Sequence, residues 1–180
     1  MARILIVGGG CRGRSFAARM VGQGHAVRAS TRTQSGRAAI EASGAECWVG
    51  TPDRLSTLRG ALENVTIACW MLAAVSGPPE QVRALHSTRL QFFLGQAIDT
   101  TVRGVIYDAA PPRAASDRIP PLAVDADVLA GGERIVRELT ARNAIPLVVL
   151  GADAGRDEDD DDGCWIAAAA AAVDALLAGG

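Results

Sequence analysis

ILIVGGGCRGRS, residues 4–15, is the stretch that decides the fold. Its first four residues are apolar, which is typical of a strand buried on both faces of a sheet. Gly8, Gly10 and Gly13 follow at G-x-G-x-x-G spacing. In this arrangement the first glycine permits a tight turn, the second lets the backbone approach a pyrophosphate, and the third lets a helix pack closely on the strand. The stretch predicts a dinucleotide-binding strand–turn–helix unit, the alternative being glycines that serve only a strand–helix corner.

The residues between the glycines complete the predicted phosphate site. The helix that follows offers free N–H groups and the positive end of its dipole to an anion. Cys11 and Arg12 lie inside the glycine loop, and we include both in the predicted cofactor site. The Arg12 guanidinium either reaches a phosphate or is simply solvated, and the sequence leaves both open.

The end of the second predicted strand, residues 25–30, predicts which dinucleotide binds. It is followed by Thr31 and Arg32. Sites specific for NAD carry an Asp or Glu here, which accepts hydrogen bonds from the adenosine ribose. A hydroxyl and a guanidinium suit a 2′-phosphate instead. We therefore expect NADP(H) to be preferred over NAD(H), the alternative being that Arg32 is a solvated surface residue.

Strands and helices alternate along the rest of the chain. Further strands are predicted at residues 45–49, 65–73, 102–107 and 145–150, and helices at 34–43, 80–100, 128–143 and 164–178, with another helix beginning at Thr51. This alternation predicts an α/β fold: a Rossmann-like, doubly wound parallel six-stranded sheet in three α/β/α layers. The fourth strand should be central because it is almost wholly apolar. Pro146 places the sixth strand at an edge. We expect one domain over residues 1–180, with its core at 3–150.

Ligands of such sheets bind outside the carboxyl ends of the strands. The predicted cofactor site therefore includes the end of the fourth strand, and we also place in it the predicted helix N-cap after the third strand. These residues are Leu72, Ala73, Ala74 and Thr51.

The predicted helix at residues 80–100 carries two apolar stripes. One stripe is Val82, Leu85, Phe93 and Ala97, and the other is Leu90, Leu94 and Ile98. Two stripes suggest that one face packs on the sheet and the other forms a homodimer, the alternative being a single wide buried face. We expect His86, on the same helix, at the surface or rim.

Two segments have no assigned role. Residues 108–127 form a Pro-rich connection, which is either a functional loop over the crevice or a poorly ordered segment. The acidic run at 157–162 could attract a cation but is more typical of a solvated surface.

The C-terminal helix should dock through Trp165, Val173 and Leu176.

Composition and charge limit the function classes. The net charge of −2 argues against a general nucleic-acid binder. Residues 1–60 carry nine arginines and three acidic residues, whereas 61–180 carry nine arginines and 17 acidic residues. The basic first part suits an anionic cofactor, unless the acids of the tail alone create the imbalance. All 18 basic residues are arginine, so no chemical step can use a lysine amine.

Cysteine usage and hydropathy predict the compartment. The cysteines at 11, 47, 69 and 164 form no C-x-x-C pair, and the two histidines are far apart. This predicts free thiols in a reducing compartment and no His/Cys metal site. The sequence shows no signal peptide and no apolar run of transmembrane length, so we expect a cytoplasmic protein without a membrane partner.

The glycine-rich opening, the arginine after the second strand and the pair GGERIVRELTARNAIPLVVL (residues 131–150) resemble atypical short-chain dehydrogenases/reductases. The resemblance covers roughly residues 3–150 and is strongest to the epimerase-like and NmrA-like branches. It implies an NAD(P)-binding Rossmann fold whose cofactor site contains the three motif glycines, Thr31 and Arg32.

The chain departs from this family where catalysis is concerned. Active members use a Tyr-x-x-x-Lys pair, in which the lysine lowers the pKa of the tyrosine and holds the nicotinamide ribose. Here there is no lysine, the single tyrosine, Tyr107, lies in or at the end of the fifth strand, and Asp108 follows where relatives often carry Ser or Thr. The resemblance therefore implies cofactor binding and assigns catalysis to no residue.

Three hypotheses remain. The first is a dinucleotide-binding or sensing module, as NmrA-like regulators are, which the absent lysine and the small C-terminal region favour. The second is an NADP(H)-dependent oxidoreductase with non-standard residues such as Tyr107 or Asp108, which the long 108–127 connection favours. The third is a degenerate domain that binds nothing.

Overall fold

The structure, a computed structural model, describes residues 1–110, 124–151, 154 and 163–179. Six strands form one parallel sheet in the order β3–β2–β1–β4–β5–β6. The strands are β1 (Arg3–Val7), β2 (Ala26–Thr31), β3 (Glu46–Val49), β4 (Ile67–Trp70), β5 (Gly104–Asp108) and β6 (Leu147–Leu150). The predicted parallel six-stranded sheet is confirmed, with β4 beside β1 at its centre and β6 at an edge, just after Pro146. Each strand begins within two residues of its predicted position.

Helices cover both faces of the sheet. They are α1 (Cys11–Gly22), α2 (Arg37–Glu41), α3 (Pro79–Leu85), α4 (Thr88–Ile98), α5 (Ala126–Arg142) and α6 (Gly163–Ala178). Successive β1 side chains serve opposite cores, as the two-residue period of a strand requires. Ile4 and Ile6 pack with α1 and α6, whereas Leu5 and Val7 pack with α4 and α5. This confirms the predicted three-layer arrangement.

The predicted helix at 80–100 is two helices, because the chain breaks at His86 and Ser87. The His86 ring turns inward, where Nδ1 lies 2.8 Å from the Tyr107 hydroxyl and Nε2 lies 3.3 Å from the Leu72 carbonyl oxygen. The prediction that His86 lies at the surface or rim was wrong, since only 1% of the residue is exposed. Burial of this hydrogen-bonded ring accompanies the break between α3 and α4.

Four of the predicted stripe residues form one wide buried face on α4, whereas Val82 and Leu85 lie on α3 and Ile98 is half-buried. Leu90 and Leu94 are buried in the same core as Phe93 and Ala97. The alternative of a single face is therefore the one observed, and the pattern no longer supports a partner on the second stripe. Homodimerisation stays a prediction, and Phe92 is the large apolar side chain that α4 exposes.

The predicted helix after Thr51 is replaced by two single turns of 3₁₀-helix, at Leu55–Thr57 and Gly60–Leu62. The Thr57 side chain closes the first turn by donating to the Arg54 carbonyl and accepting from the Thr51 N–H. The Trp48 indole N–H also donates to the Thr57 carbonyl at 2.7 Å. These bonds satisfy backbone groups that a continuous helix would pair internally. The predicted helix at 34–43 is likewise shorter, a 3₁₀ turn followed by α2.

The last helix docks as predicted, with Trp165, Val173 and Leu176 buried. Asp125 caps α5 by accepting from the Asp127 N–H at 2.9 Å. Most of the Pro-rich connection and the acidic run at 157–162 lie outside the described residues. Of the helices that the structure describes, none has the length and apolar character needed to cross a membrane.

Candidate functional site

A cleft of about 570 Å³ opens at the carboxyl edge of the sheet, beside the C-terminal ends of β1 to β5. Ten of the eleven predicted cofactor residues line it, namely Gly8, Gly10, Cys11, Arg12, Gly13, Thr31, Arg32, Thr51, Leu72 and Ala74. The eleventh, Ala73, is fully buried and packs with Val124 and Leu129. The fold therefore brings the predicted set together, except for one residue that faces the core.

The glycine loop is shaped by close backbone contacts. Gly8 has a φ of +122°, and a Cβ on it would lie 2.2 Å from the Met71 carbonyl oxygen. A Cβ on Gly13 would lie 2.0 Å from the Gly8 carbonyl oxygen, so α1 packs directly on the loop. On Gly10 a Cβ would meet no described atom within 4 Å. Gly8 and Gly13 are thus required by the protein's own packing, whereas the space beside Gly10 belongs to the cleft.

The N-terminus of α1 faces this space, and no side chain caps it. Gly10 is the N-cap, and the first turn of the helix has no acidic residue. The first helical N–H that bonds back is that of Arg14, to the Gly10 carbonyl. The preceding N–H groups and the helix dipole therefore favour an anion at this position.

Ser30, on the next strand, holds the glycine loop and was not among the predicted site residues. Its hydroxyl accepts from the Gly8 N–H at 3.3 Å, and its carbonyl accepts from the Gly9 N–H at 2.9 Å. Ser30 is 4% exposed and lines the cleft. The only signal in the sequence was a small polar residue at the end of an otherwise buried strand.

Arg12 faces the middle of the cleft and is not a freely solvated side chain. Its guanidinium donates to the Ala110 carbonyl at 3.3 Å and lies 5.3 Å from the ring centroid of Trp165 on α6. These contacts place a positive charge beside the N-terminus of α1.

The ends of β2 and β3 form a second basic and hydroxyl-bearing wall. Arg32 is exposed, lines the cleft and makes no hydrogen bond or ion pair with the residues that the structure describes. The Thr31 hydroxyl donates to the Thr33 carbonyl at 3.3 Å. Asp53, the acidic residue of this wall, pairs with Arg89 of α4. The charge of Asp53 is therefore matched by the protein, and that of Arg32 is available to a ligand.

Asp108 and Trp165 close the opposite end of the cleft. Asp108 Oδ1 accepts from the Trp165 indole N–H at 3.2 Å and from the Ala110 N–H at 3.1 Å. Burial raises the pKa of Asp108 to about 6, although these two donors and the Arg12 charge act to lower it. The cofactor site predicted from the sequence omitted both residues, because no local pattern shows that α6 returns to the end of β5.

Tyr107 does not line the cleft. Its side chain lies on the opposite face of the sheet in the core of α4 and α5, and it is fully buried. Its hydroxyl contacts His86 Nδ1 and donates to the Leu129 carbonyl at 3.2 Å. Burial and the nearby Asp108 charge raise the pKa of Tyr107. The hypothesis that Tyr107 acts beside a nicotinamide is therefore contradicted by its position.

Comparison with known proteins shows similarity at the level of structure. No protein-family model and no curated protein matches the sequence. A short-chain dehydrogenase/reductase superfamily protein from Agrobacterium tumefaciens, solved with bound NAD, is 20% identical with a TM-score of 0.65; the match covers 98% of this chain and 60% of that one.

Two further solved structures show the same similarity. UDP-glucuronic acid 4-epimerase from Bacillus cereus, in complex with NAD, is 15% identical with a TM-score of 0.65, and the match covers 83% of this chain and 55% of that one. Vestitone reductase from alfalfa is 16% identical with a TM-score of 0.59, and the match covers 84% and 56%. The chain spans little more than half the length of these proteins. It has the Rossmann-like α/β fold that these solved structures share.

Proposed function

We propose that this chain binds a nicotinamide dinucleotide in the cleft, prefers NADP(H) to NAD(H), and acts as a dinucleotide-binding or sensing module. The observation that carries the proposal is the space beside Gly10, bounded by the uncapped N-terminus of α1. The backbone N–H groups and the helix dipole at the N-terminus of α1 suit a pyrophosphate. The solved relatives with bound NAD support the same class of ligand.

The residues present fit such a cofactor along the cleft. Gly10 and the first turn of α1 would hold the pyrophosphate, and Arg12 would add a positive charge. Thr31, Arg32 and Thr51 would surround the adenosine ribose, because they lie at the ends of β2 and β3. When bound, the nicotinamide supplies hydride chemistry, and this chain's residues bind and orient it.

The preference for NADP(H) rests on Arg32. Its exposed guanidinium has no partner among the described residues, and the nearest acidic residue of that wall, Asp53, already pairs with Arg89. A planar guanidinium binds a phosphate through two parallel hydrogen bonds. An unmatched arginine at the ribose position therefore favours the dinucleotide that carries a 2′-phosphate.

The lack of a Tyr–Lys pair in the cleft favours sensing over standard dehydrogenase chemistry. The chain has no lysine, and its single tyrosine is buried behind the sheet. A second candidate, an NADP(H)-dependent oxidoreductase with non-standard residues, is favoured by Asp108 alone. Its carboxyl lines the cleft, and a pKa of about 6 makes proton transfer near neutral pH feasible.

Gly10→Val tests the binding proposal. Gly10 has φ −70° and ψ −171°, which any residue adopts, and a Cβ there meets no described atom within 4 Å. The variant should keep the native fold, with a loss of about 1 kcal/mol because valine is a poorer N-cap than glycine. It should lose NADPH binding, because the side chain would occupy the pyrophosphate space. Thermal melting with and without NADPH measures both, since a ligand of the native state stabilises it by about 2.7 kcal/mol at a hundredfold excess over Kd.

Gly95→Val is the matched control, because Gly95 is an exposed residue of α4 with equally open surroundings. It should keep the NADPH-dependent rise in Tm. The proposal fails if NADPH does not stabilise the native protein, or if Gly10→Val retains the full effect. Oxidation of NADPH over a panel of aldehydes, ketones and quinones separates the two candidates, because a binding module shows none.

A further inference from the structure

Asp108 is a charged group in the cleft that neither the glycine loop nor the ribose wall explains. It is the last residue of β5, it is 2% exposed, and it lines the cleft. Its neighbours at that end are mainly apolar, including Leu72, Val75 and Trp165. A carboxylate in such surroundings interacts strongly with any charge that a ligand brings, because little water screens it.

If a dinucleotide binds in the cleft, the order of the strands would put Asp108 beside its nicotinamide half. β2 and β3, with Thr31, Arg32 and Thr51, lie on one side of β1. The pyrophosphate position at Gly10 follows β1 itself. The remaining half of the ligand therefore extends over the ends of β4 and β5, since a dinucleotide binds across the point where the strand order reverses.

The two redox forms of the cofactor differ in charge at this half. The oxidised nicotinamide ring is a pyridinium cation, whereas the reduced dihydropyridine ring is neutral. Both forms carry the same adenosine and phosphates, so the ribose wall and the glycine loop bind them equally. A group that distinguishes the two forms must act at the nicotinamide end.

We propose that Asp108 makes the cleft selective for the oxidised dinucleotide, so that the chain responds to the redox state of the NADP(H) pool. The inference rests on the proposed dinucleotide binding. It assigns to Asp108 a specificity-determining role, in which an ionised carboxylate in an apolar wall pairs with the pyridinium ring. The Trp165 and Ala110 N–H groups, both bonded to Oδ1, hold that carboxylate in place.

The other charges near Asp108 leave this discrimination intact. Arg12 of α1 lies on the same side, and Tyr107 is behind Asp108 in the sheet. Arg12 also borders the pyrophosphate position, where the ligand's own negative charge balances it. Arg32 and Asp53 line the far wall, at the β2 and β3 side. Among the described residues that line the cleft, Asp108 is therefore the acidic group at the nicotinamide half.

The proposal predicts a pH dependence with a definite sign. Asp108 has a pKa of about 6 in the free protein, so the carboxylate forms as the pH rises through 6. An opposite charge within about 4–6 Å lowers a carboxyl pKa by roughly 1–3 units, and each unit is tenfold in affinity by linkage. The preference for NADP⁺ over NADPH should therefore increase by about five- to tenfold between pH 5 and pH 7.5.

The experiment is calorimetric titration of NADP⁺ and NADPH at both pH values, with the ratio of the two dissociation constants as the readout. The 2′-phosphate also titrates near pH 6, but it is common to both forms and cancels in the ratio. Asp108→Asn removes the charge and keeps an acceptor for Trp165. Asp99→Asn, an exposed residue at the end of α4, is the matched control.

We expect the native protein and Asp99→Asn to prefer NADP⁺ at pH 7.5, by about tenfold or more. Asp108→Asn should bind the two forms equally, mainly through weaker NADP⁺ binding. Equal affinities in the native protein at pH 7.5, or a preference that is independent of pH, would overturn the role of Asp108 even if Asp108→Asn did not fold. Binding of neither form would instead overturn the proposed function and the inference with it.

Discussion

His86 Nδ1 lies 2.8 Å from the Tyr107 hydroxyl oxygen, in the core between α4, α5 and the sheet. Neither residue lines the cleft, although His86 Nε2 lies 3.3 Å from the carbonyl oxygen of Leu72, which does. A tyrosine held in this way serves packing and hydrogen bonding. Tyr107, the single tyrosine of the chain, therefore lies apart from the cleft.

Tyr107→Phe should destabilise the protein without changing its affinity for a dinucleotide. The substitution leaves the buried His86 Nδ1 without its partner, which costs about 1–3 kcal/mol. Urea unfolding measures the stability, and titration with NADPH measures the affinity. Loss of NADPH binding or of a detected activity, at unchanged stability, would restore Tyr107 as a functional group.

Asp108→Asn should change the pH dependence of stability. The folded-state pKa of Asp108, about 6, is raised above that of the unfolded chain, so ionisation in the native state costs stability as the pH rises through 4 to 6. The variant should gain on the order of 2 kcal/mol relative to the native protein on going from pH 4 to pH 7.5. Chemical unfolding at both pH values tests this. A difference between the two proteins that is the same at pH 4 and 7.5 would contradict the raised pKa.

NADPH should quench tryptophan emission mainly through Trp165. This side chain lines the cleft, whereas Trp48 and Trp70 do not. The reduced nicotinamide absorbs where tryptophan emits, so energy transfer depends on their separation. Trp165→Phe should remove most of the quenching at saturation, and Trp48→Phe should not. Equal quenching in the two variants would show that the reduced nicotinamide ring does not lie beside Trp165.

A homodimer through residues 80–100 remains to be tested. Leu90 and Leu94 are buried in their own core. Phe92, which is 55% exposed, is therefore the large apolar side chain of α4 that is available for contact with a second copy. If the dimer forms, Phe92→Ser should convert it to a monomer in sedimentation experiments while leaving the fold intact. A native protein that sediments as a monomer at high concentration removes the prediction.

The sequence predicts the sheet and the glycine loop because both depend on local patterns. Apolar runs mark the buried strands, and Gly8 and Gly13 are at positions where any side chain would collide with backbone. It does not predict the break at His86, where the buried ring contacts a residue 21 positions away, because no local pattern marks that contact. The approach of Trp165 to Asp108 spans 57 positions and has no local signature either.

The helix predicted after Thr51 is wrong for a similar reason, although the contacts involved are close in sequence. Thr51 and Pro52 form a good helix start, and Leu58 and Leu62 are buried as a helix would bury them. Side-chain bonds from Thr57 and Trp48 nevertheless close separate 3₁₀ turns. Periodicity of apolar residues cannot distinguish these turns from a continuous helix, since both place the leucines on one side.

The most direct test of the account is calorimetric titration of NADPH and NADH into the native protein, Arg32→Ala and Arg19→Ala. Arg19 is an exposed arginine near the end of α1, away from the cleft, and is the matched control. A charge-assisted hydrogen bond contributes roughly 1.5–3 kcal/mol, or about ten- to a hundredfold in affinity. We predict that the native protein and Arg19→Ala prefer NADPH by this factor, and that Arg32→Ala loses most of the preference while its NADH affinity barely changes. Equal affinities of the native protein for NADH and NADPH would contradict the account.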